Sequence, residues 1–129
     1  VKLRITNAEY WNKKLKRFSN LLLTKKDVGR RKSYLFYPIT VKKNKFFKKK
    51  DLVNELEKHG IETRSVMAGN ITKQPVAKIL KLKKSGDLKN SDYIHENSFV
   101  IGNHHEIGEK QRKFVTDIIT NFIDKKQKQ

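Results

Sequence analysis

Cysteine is absent from the 129 residues, which excludes a disulfide, a thiolate nucleophile and any cysteine-held zinc or iron–sulfur cluster within them. Long apolar runs are also missing. The densest clusters, Leu21 to Leu23 and Phe99 to Ile101, are a few residues each, far short of a bilayer span. The opening at Val1 shows no charged leader followed by an apolar stretch and a small-residue cleavage site. We therefore expect a cytoplasmic piece of a longer protein, with no membrane partner. Acidic residues are scarce: 31 Lys and Arg face 13 Asp and Glu, a net charge of +18. That balance attracts phosphate-bearing partners, although a lysine-rich surface also arises from solvated faces alone. The usual enzyme signatures are missing too. There is no Gly-Lys-Ser/Thr phosphate loop, no Gly-x-Gly-x-x-Gly, no Gly-x-Ser-x-Gly elbow and no His-Glu-x-x-His, so no catalytic residue is assigned.

The length suits one domain with a modest core. Asn7 reads as the N-cap of an amphipathic helix carrying Tyr10, Trp11, Leu15, Phe18, Leu21 and Leu22. A basic turn through Lys25, Lys26, Gly29, Arg30 and Arg31 leads to the clearest strand, Ser33 to Val41, where Pro38 signals an edge or a bulge. Leu52, Val53 and Leu56 mark one face of a helix that Gly60 stops, and Ile61 to Met67 reads as a short strand. Gln74-Pro75 opens a helical turn before a basic linker, and Asp87 or Asn90 caps a helix with Tyr93 and Ile94. Ser98 to Gly102 is a buried strand. The last helix starts near Gly108, with Phe114, Val115, Ile118, Ile119, Phe122 and Ile123 along it, and residues 124–129 are expected as a flexible basic tail. Helices alternating with about three short strands predict an α+β two-layer sandwich, its strand directions unreadable from the pattern.

Three groups of side chains invite a chemical reading. His104-His105 beside Glu106 suggests a metal, but adjacent residues point apart and no third ligand follows at a familiar spacing. His59 sits where it would meet a helix C-terminus, and His95 on a helix surface. Lys42 to Lys50 surrounds Phe46 and Phe47, a composition that meets phosphates and stacks bases. The same phenylalanines serve equally as packing at the entry of the next helix, and nucleic acid is the less favoured partner. The segment Gly60 to Pro75 is richest: Arg64 precedes a loop gathering Gly69, Asn70, Thr72, Lys73 and Gln74. As plain structure, Arg64 would pair with Glu62 or Asp87 while Asn70 caps its own loop.

Read in order, Gly60-Ile61-Glu62-Thr63-Arg64, Ala68-Gly69-Asn70, Gln74-Pro75, Gly86-Asp87-Leu88, Asn90-Ser91-Asp92 and Phe99 to Gly102 resemble the C-terminal domain of the DegT/StrS-type sugar aminotransferase family over nearly the whole chain. The form Ala-Gly-Asn-x-Thr-x-Gln-Pro looks most like that of its nucleotide-sugar 3-dehydratases of lipopolysaccharide O-antigen synthesis, of the CDP-4-dehydro-6-deoxyglucose 3-dehydratase kind. The resemblance implies the small C-terminal domain of the aspartate-aminotransferase fold, spanning residues 1–129. It implies pyridoxal or pyridoxamine 5'-phosphate in the full-length enzyme, held by a separate N-terminal domain and not by this piece. It further implies a homodimer, a nucleotide-activated 4-keto-6-deoxy sugar as substrate, and a histidine in that other domain replacing the usual cofactor-binding lysine. Carried over by position, Arg64, Gly69, Asn70, Thr72 and Gln74 are the expected substrate-binding residues, Arg64 foremost because its planar fork suits a phosphate. Asn103 to Gly108 departs from the family's Pro-Gly-Leu turn. Loss of the neighbouring domain is expected to leave apolar side chains uncovered near the first helix, at Trp11 or Phe18.

Overall fold

The computed structural model describes residues 1–25, 28–67 and 69–129; Lys26 of the basic turn and Ala68 of the Ala-Gly-Asn motif lie outside the described residues. Helix α1 (Lys2–Leu15) leads to strands β1 (Leu21–Leu23) and β2 (Phe36–Val41), then helix α2 (Lys49–Lys58) and strand β3 (Thr63–Ser65). A 3₁₀ turn (Ile71–Lys73) and helix α3 (Pro75–Ile79) follow, then helix α4 (Lys89–Asn97), strand β4 (Ser98–Gly102) and helix α5 (Glu109–Gln127). The expected α+β sandwich is present. Its sheet has four strands in the order β1-β2-β4-β3, every pairing antiparallel.

The additional strand is Leu21–Leu23, whose side chains continue the apolar spacing of α1 in sequence but not in space. Helix α1 ends at Leu15, and tight turns close through Phe18 N–H to the Leu15 carbonyl (3.0 Å) and Leu21 N–H to the Phe18 carbonyl (3.1 Å). Period-two exposure then takes over: Leu21 is buried and Leu22 is exposed. The start of α1 also differs, because Asn7 does not cap it. Asn7 lies inside the helix, fully buried, with its amide donating to Asn103 Oδ1 at 3.0 Å. Pro38 occurs in β2, where β1 has already stopped with Leu23 opposite Ile39; it needs no strand partner on that side. At the other end, α5 runs to Gln127, so most of the expected tail is helical.

Alternation along the strands divides the sheet into two faces. Tyr37, Ile39, Val41, Phe99 and Ile101 point to one side and join Trp11, Leu15, Leu52, Leu56, Ile119 and Ile123 from α1, α2 and α5 in a single core. Burying side chains of this size stabilises the fold by roughly 1.5–3 kcal/mol each. Trp11 and Tyr37 anchor it, with ring centroids 4.9 Å apart, and the Tyr37 hydroxyl donates to Asn12 Oδ1 at 2.8 Å. Burial pushes that phenol's pKa upward. Trp11 and Phe18 are therefore covered, contrary to expectation. Large exposed apolar side chains include Val1 and Leu3 at the start of α1 itself, and Leu35, Met67, Ile71, Ile79 and Leu80 beyond it.

Candidate functional site

The opposite face of the sheet carries Phe36, Pro38 and Thr40 from β2, Val100 from β4 across from Pro38, and Arg64 from β3 across from Val100. Two adjoining grooves open there. One, of about 550 Å³, is lined by Phe36, Arg64, Ser65, Val66, Met67 and Val100. The other, of about 200 Å³, shares Phe36, Arg64 and Val100 and adds the rim formed by Glu62, Gly102, Asn103 and His104. Arg64 thus stands between an apolar shelf and a polar one. The sequence pattern held the signal for this floor: period two in β2 and β4 places Phe36 and Val100 opposite the core.

Arg64 is the only one of the five expected binding residues that lines either groove. Its Nε and Nη2 both donate to Glu62 Oε1, at 2.9 and 2.7 Å. With the two side chains 64% and 73% exposed, the pair contributes on the order of 0–1 kcal/mol, and a stronger anion can displace it.

The other four lie together in a segment held against α4. Asn70 is buried. Its Oδ1 accepts from the Thr72 N–H (3.0 Å) and hydroxyl (2.8 Å), while its Nδ2 donates to Asp92 Oδ1 at 2.6 Å. Asn70 therefore caps the 3₁₀ turn and ties it to α4. Lys73 Nζ bridges Asp92 (3.1 Å) and Glu96 (3.0 Å). The Asn70 amide, followed by Lys73, holds the Asp92 carboxyl below its ordinary pKa, and Glu96 and Asp92 raise that of Lys73. Gly69, expected to let a ligand approach, instead admits the His95 ring, whose Nδ1 accepts from the Asn70 N–H at 3.3 Å. Gln74 is half-buried and precedes Pro75 at the start of α3. His95 stands on the surface of α4, as its position implied; its contact with Gly69 comes from tertiary placement, which local spacing does not encode.

Among the remaining candidates, His59 Nδ1 lies 2.8 Å from the Glu55 carbonyl oxygen, as its position at the end of α2 implied. Phe47 is buried edge-on against Phe122, centroids 5.2 Å apart, and Phe46 packs partly on the core. The aromatic half of a base-stacking platform is thus engaged in packing. Among the described residues no three His, Asp or Glu converge as a metal site, and no helix is long and apolar enough to cross a membrane. Lys49 is the described lysine whose ammonium burial disfavours, but its Nζ donates to the His95 carbonyl at 3.0 Å and lines neither groove. Lys49, Lys73 and His95 are each engaged with protein partners, so they offer no free amine or imidazole to a pyridoxal phosphate.

A profile of the DegT/DnrJ/EryC1/StrS aminotransferase family matches residues 1–120. The chain is 30% identical over 93 residues to dTDP-4-dehydro-2,6-dideoxy-D-glucose 3-dehydratase of Saccharopolyspora spinosa, covering 72% of this chain and 20% of that protein. It is 36% identical over 70 residues to the lipopolysaccharide biosynthesis protein RfbH of Salmonella typhimurium, covering 54% of this chain and 16% of that one. The crystal structure of E. coli GDP-4-keto-6-deoxy-D-mannose-3-dehydratase with bound hydrated PLP superimposes with a TM-score of 0.81 at 25% identity, over 92% of this chain and 30% of that chain. The chain thus spans 16% to 30% of the length of each of these proteins.

Proposed function

Because the chain belongs to the DegT/DnrJ/EryC1/StrS aminotransferase family, we propose that it is the small C-terminal domain of a cytoplasmic enzyme that removes the 3-hydroxyl of a nucleotide-activated 4-keto-6-deoxy sugar. The observation that carries this reading is the agreement of the relatives: two are 3-dehydratases of nucleotide sugars and a third serves lipopolysaccharide biosynthesis. In the full-length homodimer the remaining domain holds pyridoxal or pyridoxamine 5'-phosphate, which supplies the electron sink for the elimination.

This domain's part is binding. Arg64 is the substrate contact, presenting a rigid guanidinium at the centre of an exposed groove where a phosphate competes with Glu62. Gly69, Asn70, Thr72 and Gln74 line neither groove, and their segment, which Asn70 ties to α4, supports the site from outside it. The apolar floor of Phe36 and Val100 excludes water beneath the ligand.

The test incubates the full-length enzyme and pyridoxamine phosphate with the CDP-, GDP- and dTDP-linked 4-keto-6-deoxy sugars. A 3-deoxy product from any of them supports the reading. An amino sugar made with an added amino donor makes the protein an aminotransferase of the same family and overturns the dehydratase assignment.

A further inference from the structure

The groove that contains Arg64 ends at a histidine with no assigned task. β4 finishes at Gly102, and the turn that follows carries Asn103 into the core and His104 to the surface. Asn103 fixes the turn: its Nδ2 donates to the carbonyls of Arg4 (3.0 Å) and Tyr34 (2.9 Å), and Asn7 Nδ2 meets the His104 carbonyl at 3.5 Å. His104 is thereby held on the groove rim with Glu62, Arg64 and Gly102. Gly102 leaves the floor between them open, since a Cβ there would meet nothing within 4 Å.

The two basic side chains of this groove share one arrangement. Arg64 is paired with Glu62, two residues before it, and His104 Nδ1 lies 3.8 Å from Glu106 Oε2, two residues after it. All four side chains are more than half exposed, so both pairs are weak and exchangeable. The other titratable neighbour is His105, whose ring stands edge-on to His104 with centroids 6.4 Å apart. A ligand with two linked anionic groups gains from both cations at once, whereas either carboxylate satisfies one. We propose that His104 and Arg64 together form a diphosphate-binding pair, His104 contributing when protonated and displacing Glu106 as Arg64 displaces Glu62. The proposal rests on Arg64 being a substrate contact and adds a second, pH-dependent one at a turn that departs from the family pattern.

Calorimetric titration of the full-length, cofactor-loaded enzyme with inorganic pyrophosphate tests it, the resident cofactor keeping its own phosphate site filled. At about pH 6, His104→Asn should weaken binding about fivefold, the worth of one exposed charge contact; at about pH 8.5 it should match the wild type within about twofold, since only an imidazolium adds charge to the pair. His104→Lys should match the wild type at the lower pH and bind about fivefold more tightly than it at the higher, because lysine keeps its charge at both. Arg64→Gln should weaken binding at both. If Arg64→Gln weakens binding and His104→Asn does not, the pair is wrong while Arg64 remains a contact. If neither weakens it, the role given to Arg64 fails as well. Equal loss in His104→Asn at both pH values, unrescued by lysine, means the turn matters only structurally and also overturns the proposal.

Discussion

A Cβ placed on Gly69 would lie 2.0 Å from Nδ1 of His95 and 2.9 Å from its Cγ. Gly69 also has a φ of +62°, in the left-handed region that side chains adopt at a cost. Swinging the ring away would give up the Asn70 N–H bond to Nδ1. Gly69→Ala should therefore destabilise the domain by about 2–4 kcal/mol, combining backbone strain with overpacking. Thermal melts of Gly69→Ala and of Gly69→Ala with His95→Ala separate the two: the second change should return the packing part only. A Gly69→Ala melt equal to the wild type would show that the segment does not pack on α4 in solution.

The same segment should respond to acid. The Asp92 carboxyl is held below its ordinary value, first by the Asn70 amide and then by Lys73. A depressed carboxylate stabilises the fold above its unfolded pKa, about 3.9 for Asp, and the contribution is lost as the pH falls through the folded value. Attachment of the 69–74 segment to α4 should thus be constant from neutral pH to about pH 5 and weaken below about pH 4. Exchange of the Thr72 and Asn70 amide hydrogens measures it. Asp92→Asn should raise exchange at neutral pH and flatten its acid dependence; an unchanged acid response in that variant would assign the effect to another carboxylate.

Net charge leads to a third expectation. With +18 on 129 residues, the chain will be retained on duplex DNA at low salt and released as counterions compete. Phe47 is buried and Phe46 is partly covered, so retention should show no preference for single strands, which stacking would provide. Phe46→Ala should leave the salt midpoint unchanged. A loss of single-strand binding in that variant would restore the nucleic-acid reading of Lys42 to Lys50.

Much of this architecture was legible wherever one periodicity dominates. Helix α2 has its apolar face, Gly60 as its stop, and Asp51 Oδ2 accepting the Lys48 N–H at 2.8 Å to start it. The buried run Ser98 to Gly102 and the face of α5 built from Val115, Ile119, Phe122 and Ile123 were equally clear. Leu21–Leu23 was not, because three residues hold too little alternation to outweigh the helical spacing before them. Asn7 misled for a different reason: its capping chemistry is real, but a buried partner 96 residues away takes its amide. The site divides in the same way. Arg64 was readable as an exposed cation on a short strand, whereas the joining of Arg64 with His104 depends on β3 and β2 flanking the end of β4, a pairing no local pattern reports.

That end of β4 rests on Asn103, and its replacement should be costly. Asn103→Ala would remove the donor to the carbonyls of Arg4 and Tyr34 and the near acceptor of Asn7 Nδ2, which would keep only the 3.5 Å contact to the His104 carbonyl, all in an interior where Asn7 and Asn103 are at most 2% exposed. Unsatisfied buried polar groups cost about 1–3 kcal/mol each, and partial relaxation reduces the sum, so a loss of about 3 kcal/mol is expected. Asn103→Asp keeps the shape but replaces the donor with a carboxylate facing two carbonyl oxygens, and at neutral pH it should be the more damaging of the two. Urea denaturation of both variants decides the matter. If Asn103→Asp were the milder change, the two carbonyls would not be what the side chain satisfies, and the anchoring of the His104 turn would have to come from Asn7 alone.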